Sequence, residues 1–160
     1  MSPMTKHPMT PGGHQKLKEE LKRLKSEERP KVIESIAVAR DHGDISENAE
    51  YDAAKEQQAF IEKRIRDIEN KLANAQVVDP STLDTDRVVF GVHVTVQDLM
   101  SGEEVSYQIV GADEADVAAS RISVVSPVAR ALIGKRVGDV VQVQIPKGMK
   151  ELEVMEISLP

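Results

Sequence analysis

The feature that most constrains this chain is a run of positions at steps of three and four: Tyr51, Ala54, Gln58, Ile61, Ile65, Ile68, Leu72 and Ala75. Such spacing repeats every seven residues and draws one narrow stripe along an α-helix, here with Gln58 as its one polar member. The other faces carry Lys55, Glu56, Glu62, Lys63, Arg64, Arg66, Asp67 and Glu69. A helix of this kind can bury only its stripe, so it needs a single partner helix.

The partner lies upstream. Leu17, Leu21 and Leu24, then Val32, Ile36 and Ala39, recur at the same steps. Pro30 falls between the two groups, and a proline inside a helix removes one hydrogen bond, so a bend is expected there, with two shorter helices as the alternative. Thr10-Pro11 has the make-up of a helix start, but Gly12-Gly13 favour a start near residue 14, which leaves Met1 to Gly13 as a loose arm. Asp41-His42-Gly43-Asp44 separates the helices, and Gly43 suits the left-handed turn that ends one. A connection this short makes the helices antiparallel neighbours. Arms of about 28 to 30 residues at 1.5 Å each give a rod roughly 40–45 Å long. With charged faces it is expected to project into solvent, its turn farthest from the rest.

After Val77-Val78 the pattern changes. Asp79-Pro80-Ser81 and the polar run to Asp86 read as a linker. Strand-like stretches follow at Val88 to Val96, Val105 to Val110, Ile122 to Val125, Val140 to Ile145 and Leu152 to Ile157. Ser126, Pro127 and Gly134 frame one short helix as cap, first position and terminator. The expected fold is therefore α+β. An antiparallel helical hairpin over 1–78, with its tip near 41–47, is joined by a linker at 79–86 to a small, mostly antiparallel β domain with one short helix over 87–160.

Charge sharpens the division. Residues 1–75 hold fourteen basic and fourteen acidic residues, whereas residues 76–160 hold seven and thirteen, so the whole net charge of −6 sits in the second half. Bulk electrostatics repels duplex DNA, any nucleic-acid contact has to be local, and the acidic half suits a protein partner. Two Tyr, two Phe and no Trp argue against a base-stacking surface. The absence of cysteine removes disulfides, thiolate metal sites and cysteine nucleophiles, and suits a cytoplasmic protein. Neither a signal-peptide core nor a membrane span is read in the chain.

The chemistry concentrates at the turn. Asp44 and Glu47 stand three apart at the start of the second helix, so they share a face. Two adjacent carboxylates can bind a divalent cation through oxygen, weakly unless further ligands arrive from elsewhere. The same spacing also resembles a capping box, and acids are favourable at any helix N-terminus. Both readings stand on spacing alone, and they are compatible.

The run Ala39-Arg40-Asp41-His42-Gly43-Asp44-Ile45-Ser46-Glu47-Asn48-Ala49-Glu50-Tyr51, with Ala53-Ala54-Lys55-Glu56-Gln57-Gln58 after it, resembles the hairpin signature of the GreA/GreB transcript-cleavage factors, GreA most closely. The block from Ile122 to Lys135 resembles the C-terminal motif of the same family, and the likeness runs from about residue 9 onward. The resemblance implies an FKBP-like C-terminal domain that docks on bacterial RNA polymerase through Ser126, Pro127 and Arg130. It also implies a coiled coil that enters the secondary channel. There Asp44 and Glu47 would hold a Mg²⁺ jointly with polymerase, and Arg40 and Lys55 would lie near the extruded RNA 3′ end. On this reading the protein is a monomeric accessory factor rather than a free-standing nuclease, with no tightly bound metal and no membrane role. An FKBP-like domain could instead suggest a prolyl isomerase. That activity wants an aromatic-lined pocket, and residues 76–160 offer only Phe90 and Tyr107.

Overall fold

The computed structural model describes residues 6–42 and 45–160, with the side chains of 42–48 outside the description. The described chain forms two compact units, one of residues 14–75 and one of residues 6–13 with 76–160. Together they make an α+β protein.

The first unit is a two-helix hairpin. Helix α1 spans Pro11–Arg23, a π-helical turn covers Leu24–Glu28, and α2 spans Arg29–His42. The return helix α3 spans Ile45–Ala73. Where a bend was expected near Pro30, a π-helical turn ends two residues before the proline and the helix runs on unbroken, so the alternative of two separate shorter helices does not hold. Pro30 cannot donate to the carbonyl four residues back, and the Arg29 N–H instead reaches the Leu24 carbonyl five residues back. The start differs from expectation. Helix α1 begins at Pro11 despite the glycine pair, because the Thr10 hydroxyl accepts from the Gly13 N–H at 3.1 Å.

Ala54, Ile61, Ile65 and Ile68 of α3 are buried, as are Leu17, Leu24, Val32, Ile36 and Ala39 on the facing helix. The stripe read from the sequence is therefore the packed seam. The pairing is antiparallel: Lys25 reaches Glu69, Arg29 reaches Glu62, and Ala39 shares a groove with Ala54. Arg29 grips Glu62 through two 2.8 Å bonds, and Arg64 grips Glu20 through bonds of 2.7 and 2.8 Å. Such bidentate pairs fix register more than they add stability, because they lie at the surface.

The second unit is built on a five-stranded sheet. Its strands are β3 (His93–Asp98), β4 (Glu104–Val110), β5 (Arg121–Ser123), β6 (Val140–Ile145) and β7 (Gly148–Ser158), in the order β5-β4-β3-β7-β6. All pairings are antiparallel except β4 with β5. A separate two-stranded sheet joins β1 (His7–Met9) to β2 (Ala75–Val77). The N-terminal segment is thus a strand leading into a capped helix from His7 onward, not a loose arm.

Valines make the core: Val88, Val92, Val94, Val96, Val141, Val143 and Val154 are buried with Ile109, Leu132 and Leu152. A bulge opposite Thr95 and Val96 inserts Met155 into β7. It switches the inward side of the strand from Leu152 and Val154 to Ile157, three residues on instead of two. The strand expected from Val88 is shorter than its sequence suggests. Gly91 takes φ of 97°, a turn conformation, and β3 begins only at His93. Val88 remains buried and exchanges hydrogen bonds with the Gly134–Lys135 backbone that follows the short helix.

Candidate functional site

The expected catalytic and metal-binding pair, Asp44 and Glu47, lies outside the described residues except for the Glu47 backbone, which belongs to the first turn of α3. The residues that bracket the pair are described. Arg40 lies in the last turn of α2 and Lys55 within α3, and both side chains are exposed. They follow directly on Ala39 and Ala54, which line one groove between the arms, so the two basic residues sit at the same level of the hairpin. A cation near a helix C-terminus is favoured by the helix dipole, which explains Arg40 without reference to a ligand.

The groove itself occupies about 390 Å³ between Lys31, Glu34, Ser35, Val38, Ala39, Glu50 and Ala54. Val38, Ala39 and Ala54 supply apolar lining, while Lys31, Glu34 and Glu50 supply charge. Asp41 and Glu50 are exposed, and Tyr51 is half-buried at the start of the seam, where it serves packing. Among the described residues no three His, Cys, Asp or Glu side chains converge as a metal cluster. Two tip carboxylates form a donor set of hard oxygens, which suits Mg²⁺ in kind but is too small to hold it without ligands from elsewhere.

The second candidate surface surrounds helix α4, Pro127–Leu132. Ser126 caps it, its hydroxyl accepting from the Ala129 N–H at 3.2 Å, and Pro127 occupies the first turn, where no backbone donor is missed. Ala129 and Leu132 are fully buried against the sheet, which leaves Pro127 and Arg130 exposed. The three expected docking residues therefore share one short element. The sequence reading missed what lies beside them. Arg130 borders a groove of about 510 Å³ with Ala131, Ile133, Lys135, Val140, Val141 and Gln142. Ile133 and Val140 are exposed apolar residues in that groove. Alternation along Val140-Val141-Gln142-Val143 could have signalled that one of the first two valines faces outward.

Electrostatic perturbations in the described residues are structural. The Arg29 hydrogen bond holds the Glu62 carboxyl below its ordinary range. Hydrogen bonds from Ser81 do the same for Asp79, and the Met100 N–H, more than Ser101 and Lys150, for Asp98. No helix among the described residues is long and apolar enough to cross a membrane.

Comparison with known proteins agrees with the two-part architecture. Residues 7–77 match the family described as transcription elongation factor, N-terminal, and residues 83–159 the family described as transcription elongation factor, GreA/GreB, C-term. Transcription elongation factor GreA of Alkalilimnicola ehrlichii is 56% identical over 155 residues, spanning 96% of this chain and 98% of its own. Its counterpart in Methylococcus capsulatus is 58% identical with the same coverage. Among solved structures, GreA factor homolog 1 of Thermus thermophilus is 31% identical over 96% of this chain and 99% of its own, with a TM-score of 0.46. Both halves are matched in order, and relatives align across nearly their whole length at more than half identity: the chain belongs to the GreA/GreB family of transcription elongation factors.

Proposed function

We propose that this protein stimulates cleavage of RNA by a stalled bacterial RNA polymerase, acting in the cytoplasm as an accessory factor. The hairpin enters the secondary channel, and the acids at its turn complete the polymerase active site. The observation that carries this reading is the sequence position of Asp44 and Glu47, which follow the end of α2 directly, with Glu47 in the first turn of α3, between two helical arms whose charged faces bury only one seam. Helix capping accounts for acids at such a turn, but not for an antiparallel pair of this length.

The chemistry follows from the donor set. Two carboxylates supply hard anionic oxygens and leave most positions of a Mg²⁺ open. When bound between the factor and polymerase, the metal supplies charge neutralisation at the phosphodiester and a more acidic water. Asp44 and Glu47 hold and orient that position. Arg40 and Lys55, exposed at one level of the hairpin, are suited to pair with phosphates of the extruded RNA 3′ end. Ser126, Pro127 and Arg130, together with the mixed groove beside them that holds the exposed Ile133 and Val140, form the docking surface on polymerase, and one copy of the chain suffices.

The test uses backtracked elongation complexes with end-labelled RNA and Mg²⁺, given the wild-type protein or the Asp44→Ala/Glu47→Ala double variant. The wild type accelerates cleavage, whereas the variant competes for polymerase without doing so. If the wild type binds and leaves the cleavage rate unchanged, an inhibitory role replaces this reading.

A further inference from the structure

The five-stranded sheet ends in two unlike edges. Strand β5 is only three residues long, and the Asp116 backbone bridges Arg121 at its start. Strand β6 runs for six residues, Val-Val-Gln-Val-Gln-Ile, and among the described residues pairs only with β7. The two-residue turn after it makes Ile145 and Gly148 a hydrogen-bonded pair, and the alternation of the ladder does the same for Val143 and Val141. The backbone groups of Val140, Gln142 and Gln144 therefore point away from the sheet, with no strand to meet them. Sheets guard such an edge with charge, proline or a bulge, and β6 carries none of these.

Beside this edge the second unit gathers its cations. The Val88 N–H donates to the Lys135 carbonyl and the Val88 carbonyl accepts from the Gly134 N–H, both at 2.8 Å. That bridge sets Arg87 beside Lys135 and Arg136, just past the end of α4, which carries Arg130. These are four of the seven basic residues in a half whose net charge is −6. All four are exposed. Arg121 and Lys150 have carboxylates at 3.4 and 3.9 Å, whereas these four have no ion pair among the described residues. The Asp139 carboxylate accepts from the Arg136 backbone N–H at 2.9 Å. Arg130 and Lys135 line the groove between α4 and β6 together with the exposed Ile133 and Val140.

An open strand edge, unpaired cations and two exposed apolar side chains at one groove call for a partner with extended backbone, carboxylates and an apolar side chain. We propose that β6 accepts an extended acidic segment of the polymerase as a sixth strand. Its carboxylates meet the cations around Arg130, Lys135 and Arg136, and its apolar side chain covers Ile133 and Val140. This rests on the docking reading given above and names the chemistry of the segment that docks. Nucleic acid is a poorer match, since phosphates use the cations but leave the strand edge and the apolar pair unmet. A second copy is poorer too. Antiparallel pairing of β6 with itself along its full length sets Val140 opposite Ile145, and so brings the cations of one copy toward the other copy's Lys147.

The experiment measures binding of the labelled full-length protein to bacterial RNA polymerase for wild type, Lys135→Glu/Arg136→Glu, Gln142→Pro and Gln142→Ala. Proline at position 142 deletes an outward N–H and no bond to β7, so the sheet is kept, which thermal unfolding checks. Charge reversal and Gln142→Pro should each weaken binding about tenfold, while Gln142→Ala stays within about twofold. Charge reversal should also flatten the salt dependence of binding. On the wild type, hydrogen exchange at the Val140, Gln142 and Gln144 amides should slow when polymerase is added. The proposal is overturned if charge reversal leaves the affinity unchanged, or if those amides exchange equally fast with and without polymerase. Weakening by charge reversal but not by a folded Gln142→Pro overturns it as well; if that variant unfolds, the wild-type exchange decides. A dimer in sedimentation that charge reversal at residues 135 and 136 changes would hand the edge to a second copy and also overturn it. Should the wild type fail to bind polymerase, the docking reading fails on its own. A peptide of alternating glutamate and valine then decides the site: slowed exchange at the three amides supports it, and no slowing, or equal slowing by alternating lysine and valine, refutes it.

Discussion

Replacing Ile68 with alanine tests the hairpin seam most directly. Ile68 is fully buried in the C-terminal half of the α3 stripe, between Ile65 and the half-buried Leu72. The change deletes three carbon groups, and at about 0.8 kcal/mol per buried methylene their transfer alone costs about 2.4 kcal/mol. The residual cavity adds to this, although a helix with one partner can close part of the gap, so about 3 kcal/mol is expected within the usual range for such truncations. Two controls bracket it. Leu72→Ala, on the same stripe but half-buried, should cost roughly half as much. Phe60→Ala removes a ring that is 70% exposed and should stay within about 0.5 kcal/mol of wild type. Urea unfolding followed by helical circular dichroism reports all three, because the hairpin supplies most of the helix. If Ile68→Ala costs no more than Phe60→Ala, the stripe is not the packed face and the antiparallel assignment fails with it.

Other consequences can be checked separately. The Glu62 carboxyl is held below its ordinary value by Arg29, so its contribution to hairpin stability is fully present above about pH 4.3 and is lost as pH falls through the lowered folded value. Pairwise melts of wild type and Glu62→Gln should therefore differ at pH 6 and converge in strong acid; a difference that grows on acidification contradicts the pairing. Gly111→Ala places a side-chain carbon 2.6 Å from the Pro8 carbonyl and should cost about 1–3 kcal/mol. Gly12→Ala, in the first turn of α1 with nearby space open, should instead stabilise by about 0.4–1 kcal/mol, and equal melting shifts would refute the close approach. Ser126→Ala removes the α4 cap and should cost about 1 kcal/mol by thermal unfolding.

The hairpin was legible because its signal is local and periodic. A seam that recurs every three or four residues over the length of α3 needs no tertiary information, and the buried residues of the structure are those the spacing names. The cap, proline and glycine around α4 were legible for the same reason. What escaped is non-local. The Thr10 cap outweighs the glycine pair only because its hydroxyl is held by Glu114, more than a hundred positions away in sequence. The parallel match of β4 with β5 and the groove at Ile133 and Val140 depend on how strands assemble, which alternation in one strand does not encode. At the candidate site, the motif named Asp44 and Glu47, and the structure describes their neighbours Arg40 and Lys55 at one level of the hairpin.

The strand order has a consequence for synthesis. Strand β3 is central, yet one of its two neighbours, β7, is made long after it, and β6 pairs only with β7. While the ribosome is still translating the intervening segments, β3 and β4 form a bare ribbon with one valine-rich side uncovered. The helical hairpin, by contrast, uses residues that emerge earlier and close on themselves. Vectorial folding is therefore biphasic, an early helical step followed by a late sheet closure that waits for β7. In the interval the nascent chain exposes an open β edge that β7 later covers.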